Sequence, residues 1–175
     1  STLATTWNTK LIFNAAVNRG EYLRSLKAPR IVGVPLTVKT IKEYEAFASE
    51  QYLVGKFAAS YVNGLNQTGV YSAYTNFPGY LGSNEVERRN NLLASEISIK
   101  NSKADVVVLN DISNVRFIND EIKYEGYKMV ETSEYAKAFY NGCKFILSCE
   151  DPLISSLLTF LKQLALRSIS KTLSA

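Results

Sequence analysis

Two kinds of hydrophobic pattern alternate along the chain. Short β-branched runs predict strands, and longer stretches with apolar residues at helical spacing lie between them. The run Val106–Val108 has no polar alternation, which is typical of a strand covered on both faces. The predicted strands are residues 30–35, 69–75, 104–110, 127–131 and 144–148.

Helices are predicted where apolar residues recur at three- and four-residue spacing. Residues 8–26 carry one apolar stripe, residues 41–64 carry a second that should face the core, and a last helix begins at Asp151 with Pro152 in its first turn. The first stripe consists of Leu11, Ala15, Tyr22 and Leu26. The second consists of Tyr44, Phe47, Val54, Phe57 and Tyr61.

Strands that alternate with helices are typical of parallel βα units joined by right-handed crossovers. The predicted fold class is therefore α/β, with about five parallel strands and intervening helices in a single domain over residues 1–175. Periodicity leaves two architectures open, a doubly wound sheet and part of a (β/α) barrel. No stretch approaches the ~18 consecutive apolar residues of a membrane span, so none is expected.

Composition restricts the chemistry more than the fold. The chain contains no histidine, which excludes imidazole bases, histidine metal ligands and Ser-His or Cys-His pairs. Cys143 and Cys149 are either a disulfide or two small buried side chains, and they do not make a zinc site. Without a phosphate-binding loop either, no metal and no cofactor are predicted. The net charge of +4 is scattered, and no basic aromatic motif supports binding to nucleic acid.

The triplet Asn66-Gln67-Thr68 is an N-glycosylation sequon. If it is used, the protein is secreted or extracellular. Such triplets are common by chance, so the compartment is otherwise left open.

Several stretches, in order, resemble the N-terminal barrel domain of the family 3 glycoside hydrolases of β-glucosidase type. The most specific is Gln51–Leu65 (QYLVGKFAASYVNGL), which is similar to the family's P-Y-L-V-G-K-L-A-A-A-Y-V-x-G-L helix. Ser1–Asn8 resembles the family's entry into a helix, and Tyr124–Glu131 resembles F-D-G-L-V-V-S-D, the strand that carries the nucleophile. The resemblance is strong over residues 1–65 and thin after residue 98, and it implies a partial or rearranged (β/α) barrel.

The resemblance also implies where a glycosidase would place its chemistry, and this sequence departs from the family there. The nucleophilic aspartate falls on Glu131, the sugar-binding arginine on Lys42, and the lysine-histidine pair that holds sugar hydroxyls on Thr75 and Asn76. A retaining glycosidase needs a second carboxyl group about 5–5.5 Å from the nucleophile. Asp111, at another predicted strand end, is the candidate for it, with a helix-capping or turn role as the alternative.

Three functions are compatible with these observations. The first is a non-catalytic scaffold or interaction protein, a pseudoenzyme whose site residues are substituted and whose first barrel strands are expected to be missing. An incomplete barrel has open strand edges, so another protein chain or a second copy is expected to cover it in a larger assembly. The alternatives are an active retaining β-glycosidase with Glu131 as the nucleophile, and a sugar-binding module. Both alternatives have a carbohydrate ligand.

Overall fold

A computed structural model describes residues 7–26, 31–36, 47–48, 50–75, 77, 84–109, 113–131 and 145–147. The predicted helix from Asp151 and the two cysteines lie outside these residues. None of the helices described is long and apolar enough to cross a membrane. The elements in chain order are α1 (Thr9–Ser25), β1 (Ile31–Pro35), α2 (Gln51–Gln67), β2 (Tyr71–Thr75), α3 (Glu85–Asn101), β3 (Val106–Leu109), α4 (Ser113–Arg116), a π-helical turn (Phe117–Ile122), β4 (Tyr127–Glu131) and β5 (Phe145–Leu147).

All five predicted strands are confirmed, and they form one parallel sheet in the order β1-β2-β3-β4-β5. β1 and β2 pair over their full length, from Ile31 opposite Tyr71 to Pro35 opposite Thr75. In a doubly wound sheet the strand order reverses at a switch point, whereas in a (β/α) barrel each strand lies beside the next one in the chain. The sequential order therefore decides between the two architectures and confirms a partial barrel.

The helices described cover one face of this sheet. The main hydrophobic cluster joins helical residues such as Ala58 and Val62 to strand residues such as Val34, Val107 and Val130. In a (β/α) barrel the face without helices is the barrel interior. β3 is buried on both faces, as its unbroken apolar run predicts. The interior face has its own smaller cluster of buried side chains, made of Ala73, Val106, Val108 and Met129.

The helix predicted over residues 41–64 begins later than expected. α2 begins at Gln51, after Glu50 in an extended conformation. The Glu50 carboxylate accepts two backbone N–H groups of the first turn at 2.8 and 2.9 Å, and these groups have no partner within the helix. Phe47 lies before the helix and packs against Tyr61, with ring centroids 5.8 Å apart. The apolar residues therefore keep their helical spacing on both sides of Glu50, although the Glu50 side chain caps the helix and fixes its start at Gln51.

The apolar stripe of α1 is not its buried face. The helix instead buries Ile12, Ala16 and Gly20. Ala16 and Gly20 are small because α2 approaches closely, so that a Cβ on Gly64 would lie only 2.8 Å from the Cβ of Ala16. α1 thus turns Ile12 and two small residues toward the core and presents several large apolar side chains to solvent. The exposed members of the predicted stripe are Leu11, Tyr22 and Leu26.

Candidate functional site at the carboxyl ends of the strands

Barrel enzymes place their chemistry at the carboxyl ends of the strands, and two of the predicted site residues are found there. Thr75 is the last residue of β2, and Glu131 is the last residue of β4. Glu131 lies opposite Leu147 in the pairing of β4 with β5. The fold therefore brings Thr75 and Glu131 to the same edge of the sheet, with β3 between their strands. Outside the described residues lie Asp111, Lys42 and Asn76.

Thr75 is anchored by well-packed neighbours. Its carbonyl accepts the backbone N–H of Leu36, a fully buried residue, at 3.0 Å. Two residues further on, Phe77 is buried and packs against Phe117 with ring centroids 6.5 Å apart. The half-buried Thr75 side chain has a hydroxyl that can donate or accept a hydrogen bond but carries no positive charge. This position can therefore offer a polar ligand group a hydrogen bond but no ion pair.

At the opposite, amino end of the sheet, a network of hydrogen bonds joins three strands. Asp105 directly precedes β3, and its carboxylate accepts the backbone N–H of Ser72 at 2.8 Å. The backbone N–H of Asp105 donates to the Ser72 carbonyl, and its carbonyl accepts the N–H of Tyr127, both at 3.0 Å. One residue thus connects the beginnings of β2, β3 and β4.

Two tyrosines, one buried and one half-buried, extend this amino-end network. The Tyr124 hydroxyl donates to the Ala104 carbonyl at 2.7 Å, and the Tyr74 hydroxyl bonds to the hydroxyl of Ser102, just after α3. Burial raises the pKa of both tyrosines well above the ordinary value, and the carboxylate of Asp105 adds to the effect at Tyr124. Burial also raises the pKa of Asp105, while its hydrogen bonds oppose that shift. Both phenols are paired within the fold and stabilise it, although Tyr124 is only half-buried and lines the cleft beside this network.

The sequon belongs to the same amino-end network. The Asn66 side-chain amide donates to the Lys103 carbonyl at 2.8 Å, and its oxygen accepts the Ser72 hydroxyl at 3.4 Å. Thr68 is buried, and its hydroxyl donates to the Leu65 carbonyl at 2.7 Å. Both sequon side chains therefore contribute to the folded structure, independently of any modification.

A cleft of about 460 Å³ opens beside this network, at the end of the sheet opposite Thr75 and Glu131. Side chains of both charge signs line it, so it has no single preference for an anion or a cation. Across the described part of the chain, no group of three or more Cys, Asp or Glu could hold a metal ion. The charged residues of the cleft are Lys103, Asp105, Lys123 and Glu125.

The sequence interpretation missed this amino-end network. Its members lie far apart in the chain, since 33 positions separate Ser72 from Asp105. The one local signal is the placement of Asp105 directly before the most apolar strand, where a carboxyl group is costly unless it is paired.

No protein-family model matches the chain. The probable β-glucosidase K of Emericella nidulans is 33% identical over 79 residues, which are 43% of this chain and 9% of that protein. The solved β-glucosidase 3B of Thermotoga neapolitana matches with a TM-score of 0.71 at 18% identity, over 96% of this chain and 30% of that one. The family 3 β-N-acetylglucosaminidase of Paenibacillus sp. str. FPU-7 matches with a TM-score of 0.67 at 16% identity, over 83% of this chain and 37% of that one. NagZ of Neisseria gonorrhoeae matches with a TM-score of 0.62 at 18% identity, over 86% of this chain and 57% of that one.

The chain forms a partial family 3 glycoside hydrolase-like barrel. This family 3-like barrel corresponds to only 9% of the curated relative, and to 30% of the Thermotoga structure. The solved structures share no more than 18% identity with it, so they show its fold, and its activity has to be argued from its own residues.

Proposed function

We propose that this family 3-like barrel is a non-catalytic interaction domain, which keeps the hydrolase fold without the groups that bind and cleave a glycoside. The observation that carries the proposal is Thr75 at the carboxyl end of β2. The resemblance implies a lysine there that holds sugar hydroxyls, and threonine supplies no cation. Phe77 falls on the phenylalanine that ends the K-H-F motif of the resemblance, and it is buried in the core. The motif thus keeps its packing residue while its polar residue is replaced.

The glutamate at the end of β4 supports the same proposal. The resemblance implies a nucleophilic aspartate at Glu131, and glutamate is one methylene longer. The extra methylene moves the attacking oxygen by roughly an ångström, and a misplacement of that size can lower a rate on the order of 100-fold. At Lys42 the family's arginine is replaced by a side chain without the bidentate guanidinium. If the chain were active, Asp111 would be the partner carboxyl group of Glu131.

The shape of the sheet supports an interaction role. In β1, Val32 and Val34 are buried on the helical side, whereas Gly33 between them is exposed. Because side chains alternate along a strand, Gly33 lies on the interior face, which is filled by side chains in a complete barrel. β1 is also an edge strand of the described sheet. A partner that packs against β1, from another chain or a second copy, would cover this face and the open edge.

Hydrolysis assays on the full chain, with any co-purifying chain present, test the proposal. We expect no release of the aryl group from aryl β-glucosides or aryl β-N-acetylglucosaminides above the buffer blank. The decisive pair of variants is Glu131→Gln and the matched control Glu125→Gln, an exposed acid at the other end of the sheet. Turnover that Glu131→Gln abolishes and Glu125→Gln keeps would establish the retaining glycosidase instead. Saturable binding of glucose without turnover would establish a sugar-binding module.

A further inference from the structure

Large apolar side chains form a row along the outer side of α1. Trp7 is 71% exposed and Tyr22 is 64% exposed, while Leu11 and Leu26 are 44% and 45% exposed. At 3.6 residues per turn, positions 11, 22 and 26 fall within about 60° of one another around the helix axis. A single exposed apolar residue needs no explanation, but four of them within α1 and directly at its two ends are the kind of grouping that marks an interaction surface. We call these four residues the outer row.

The backbone at Trp7 is an independent sign that this side chain is displayed. Its φ of 53° lies in the left-handed region, which bulky residues rarely adopt. It directly precedes Asn8, the N-cap of α1, whose side chain accepts the N–H groups of Lys10 and Leu11. The cap thus fixes the start of the helix, and the strained residue before it is directed toward solvent and not into the core. Such strain is concentrated at functional positions.

We propose that the outer row is the interface of a homodimer in which two α1 helices pack antiparallel. In the sequence, the row is symmetric about a point between positions 16 and 17, since Leu11 and Tyr22 are equally far from it. Leu26, directly after α1, and Trp7, directly before its N-cap, are also equally far from it in the sequence. A two-fold axis through that point places Leu11 of one copy against Tyr22 of the other, and brings the opposite ends of the two helices together. A two-fold interface requires this kind of self-complementary surface.

Two charges beside the outer row, those of Lys10 and Glu21, favour a second copy as the occupant. Lys10 and Glu21 are both exposed, and helical geometry places them on the same flank of the row. Within one copy they are about 16 Å apart along the helix, which is too far for an ion pair. In the antiparallel dimer, Lys10 of one copy lies within about 3 Å, along the axis, of Glu21 of the other. This complementarity occurs twice, once on each side of the two-fold axis. On the other flank the exposed Arg19 would lie about 8 Å, along the axis, from its own counterpart.

The size of the outer row predicts a weak dimer. A buried aromatic side chain contributes ~150–250 Å², so Trp7 and Tyr22 bring roughly 300 Å² from each copy. The two leucines then bring the total over both copies close to about 1,000 Å², the lower limit for a specific interface. The inference is independent of the proposed loss of catalysis, because it uses the outer surface of α1 and no strand end.

Sedimentation equilibrium of the full chain over a dilution series tests the dimer. The chain has one tryptophan, Trp7, so its emission should shift to shorter wavelength as the concentration rises and the indole becomes buried. Tyr22→Glu should weaken association roughly a hundredfold, because it buries an unpaired charge against Leu11 of the other copy. The matched control is Val86→Glu on α3, where the valine is 71% exposed, and it should have no effect. A chain that is monomeric throughout, or equal effects of the two variants, overturns the proposal.

Charge reversal tests the antiparallel arrangement itself. Lys10→Glu and Glu21→Lys should each weaken the dimer roughly tenfold, since each places like charges opposite one another at two places. An equimolar mixture of the two variants should recover association, because every pair between unlike copies is then of opposite sign. Far-UV circular dichroism checks that both variants are folded, as expected for exposed positions. Variants that dimerise like the unchanged chain, or a mixture that does not recover, overturn the arrangement.

Discussion

The two ends of the parallel sheet differ in how their polar groups are used. At the amino end, Asp105, Ser72, Tyr74 and Tyr124 are paired with one another or with the backbone of neighbouring elements. At the carboxyl end, Thr75 has a well-anchored backbone and a half-buried hydroxyl. One end therefore consists of polar groups paired within the fold, and the other carries a half-buried threonine.

If this barrel has lost its chemistry, as we propose, the difference between the two ends explains how it keeps its shape. Because barrel enzymes bind and react at the carboxyl ends of the strands, substitutions there change function more than stability. Changes at the amino end remove buried hydrogen bonds, each worth about 1 kcal/mol and more when a partner is left unpaired. A chain with Thr75 in place of the lysine that the resemblance implies can therefore still form the sheet that the structure shows.

The largest expected effect is the loss of amino-end stability in alkali. An unfolded tyrosine ionises near pH 10.0, whereas burial raises the pKa of Tyr74 and Tyr124 in the folded chain. The folded state therefore holds these protons when the unfolded state has lost them. Their contribution to stability is complete below pH 10 and falls above it, by up to about 1.4 kcal/mol per pH unit for each tyrosine.

Urea unfolding at a series of pH values, on the unchanged chain and on Tyr124→Phe, measures this slope. At neutral pH the variant should lose about 1 kcal/mol, because the Ala104 carbonyl loses its donor. Above pH 10 its stability should fall less steeply than that of the unchanged chain. If the free energies of unfolding of the two proteins changed in parallel with pH, Tyr124 would ionise in the folded state as it does in the unfolded chain. The difference between the two ends of the sheet would then have no electrostatic basis.

A matched pair of glycine substitutions sharpens the comparison through packing. Gly20, near the end of α1, lies against the amino end, and a Cβ there would be 2.9 Å from the Cβ of Thr68. Gly33→Ala places its Cβ at an ordinary 3.4 Å from the Cγ2 of Thr75. Gly20→Ala should reduce the free energy of unfolding by about 2 kcal/mol, even though alanine is the better helix former. Gly33→Ala should stay within about 0.5 kcal/mol, and similar urea midpoints for the two variants would contradict this difference.

Much of this architecture is predictable from the sequence, because local pattern encodes strands well. The limits of β4 match the predicted residues 127–131, and the apolar run of β3 is buried on both faces as expected. The order of strands is not local information, since it depends on which crossovers pack together. The resemblance supplied the barrel, and the sequential order of the sheet confirmed it.

The failures of prediction also have physical causes. The buried face of α1 was not predicted, because hydrophobicity ranks Leu11 and Tyr22 above Gly20, whereas the close approach of α2 selects small residues at Ala16 and Gly20. The start of α2 was missed because a single cap, Glu50, ends an apolar spacing that continues through it. Thr75 and Glu131 were correctly expected at strand ends. The amino-end network could not be expected, because it joins residues from separate βα units.

The smallest expected effects come from two hydroxyls on the same strand. The Ser72 hydroxyl is fully buried and lies 3.4 Å from the Asn66 oxygen and 3.5 Å from the Asp105 carboxylate. Ser72→Ala removes this donor from two acceptors but keeps the backbone bond to Asp105, so a loss of about 1 kcal/mol is expected. Thr75→Ala should change the free energy of unfolding by less than about 0.5 kcal/mol, because its side chain is half-buried.

Urea unfolding of both alanine variants compares the stability that a side chain contributes at each end of β2, because both substitutions lie in the same strand and keep its backbone hydrogen bonds. A loss at Thr75 as large as that at Ser72 would mean that the carboxyl edge is also built for stability. Threonine would then stand there because the fold requires its hydroxyl and methyl, and its presence would no longer indicate that a sugar-binding cation was given up. The stability of Thr75→Ala thus bears directly on the function proposed from that residue.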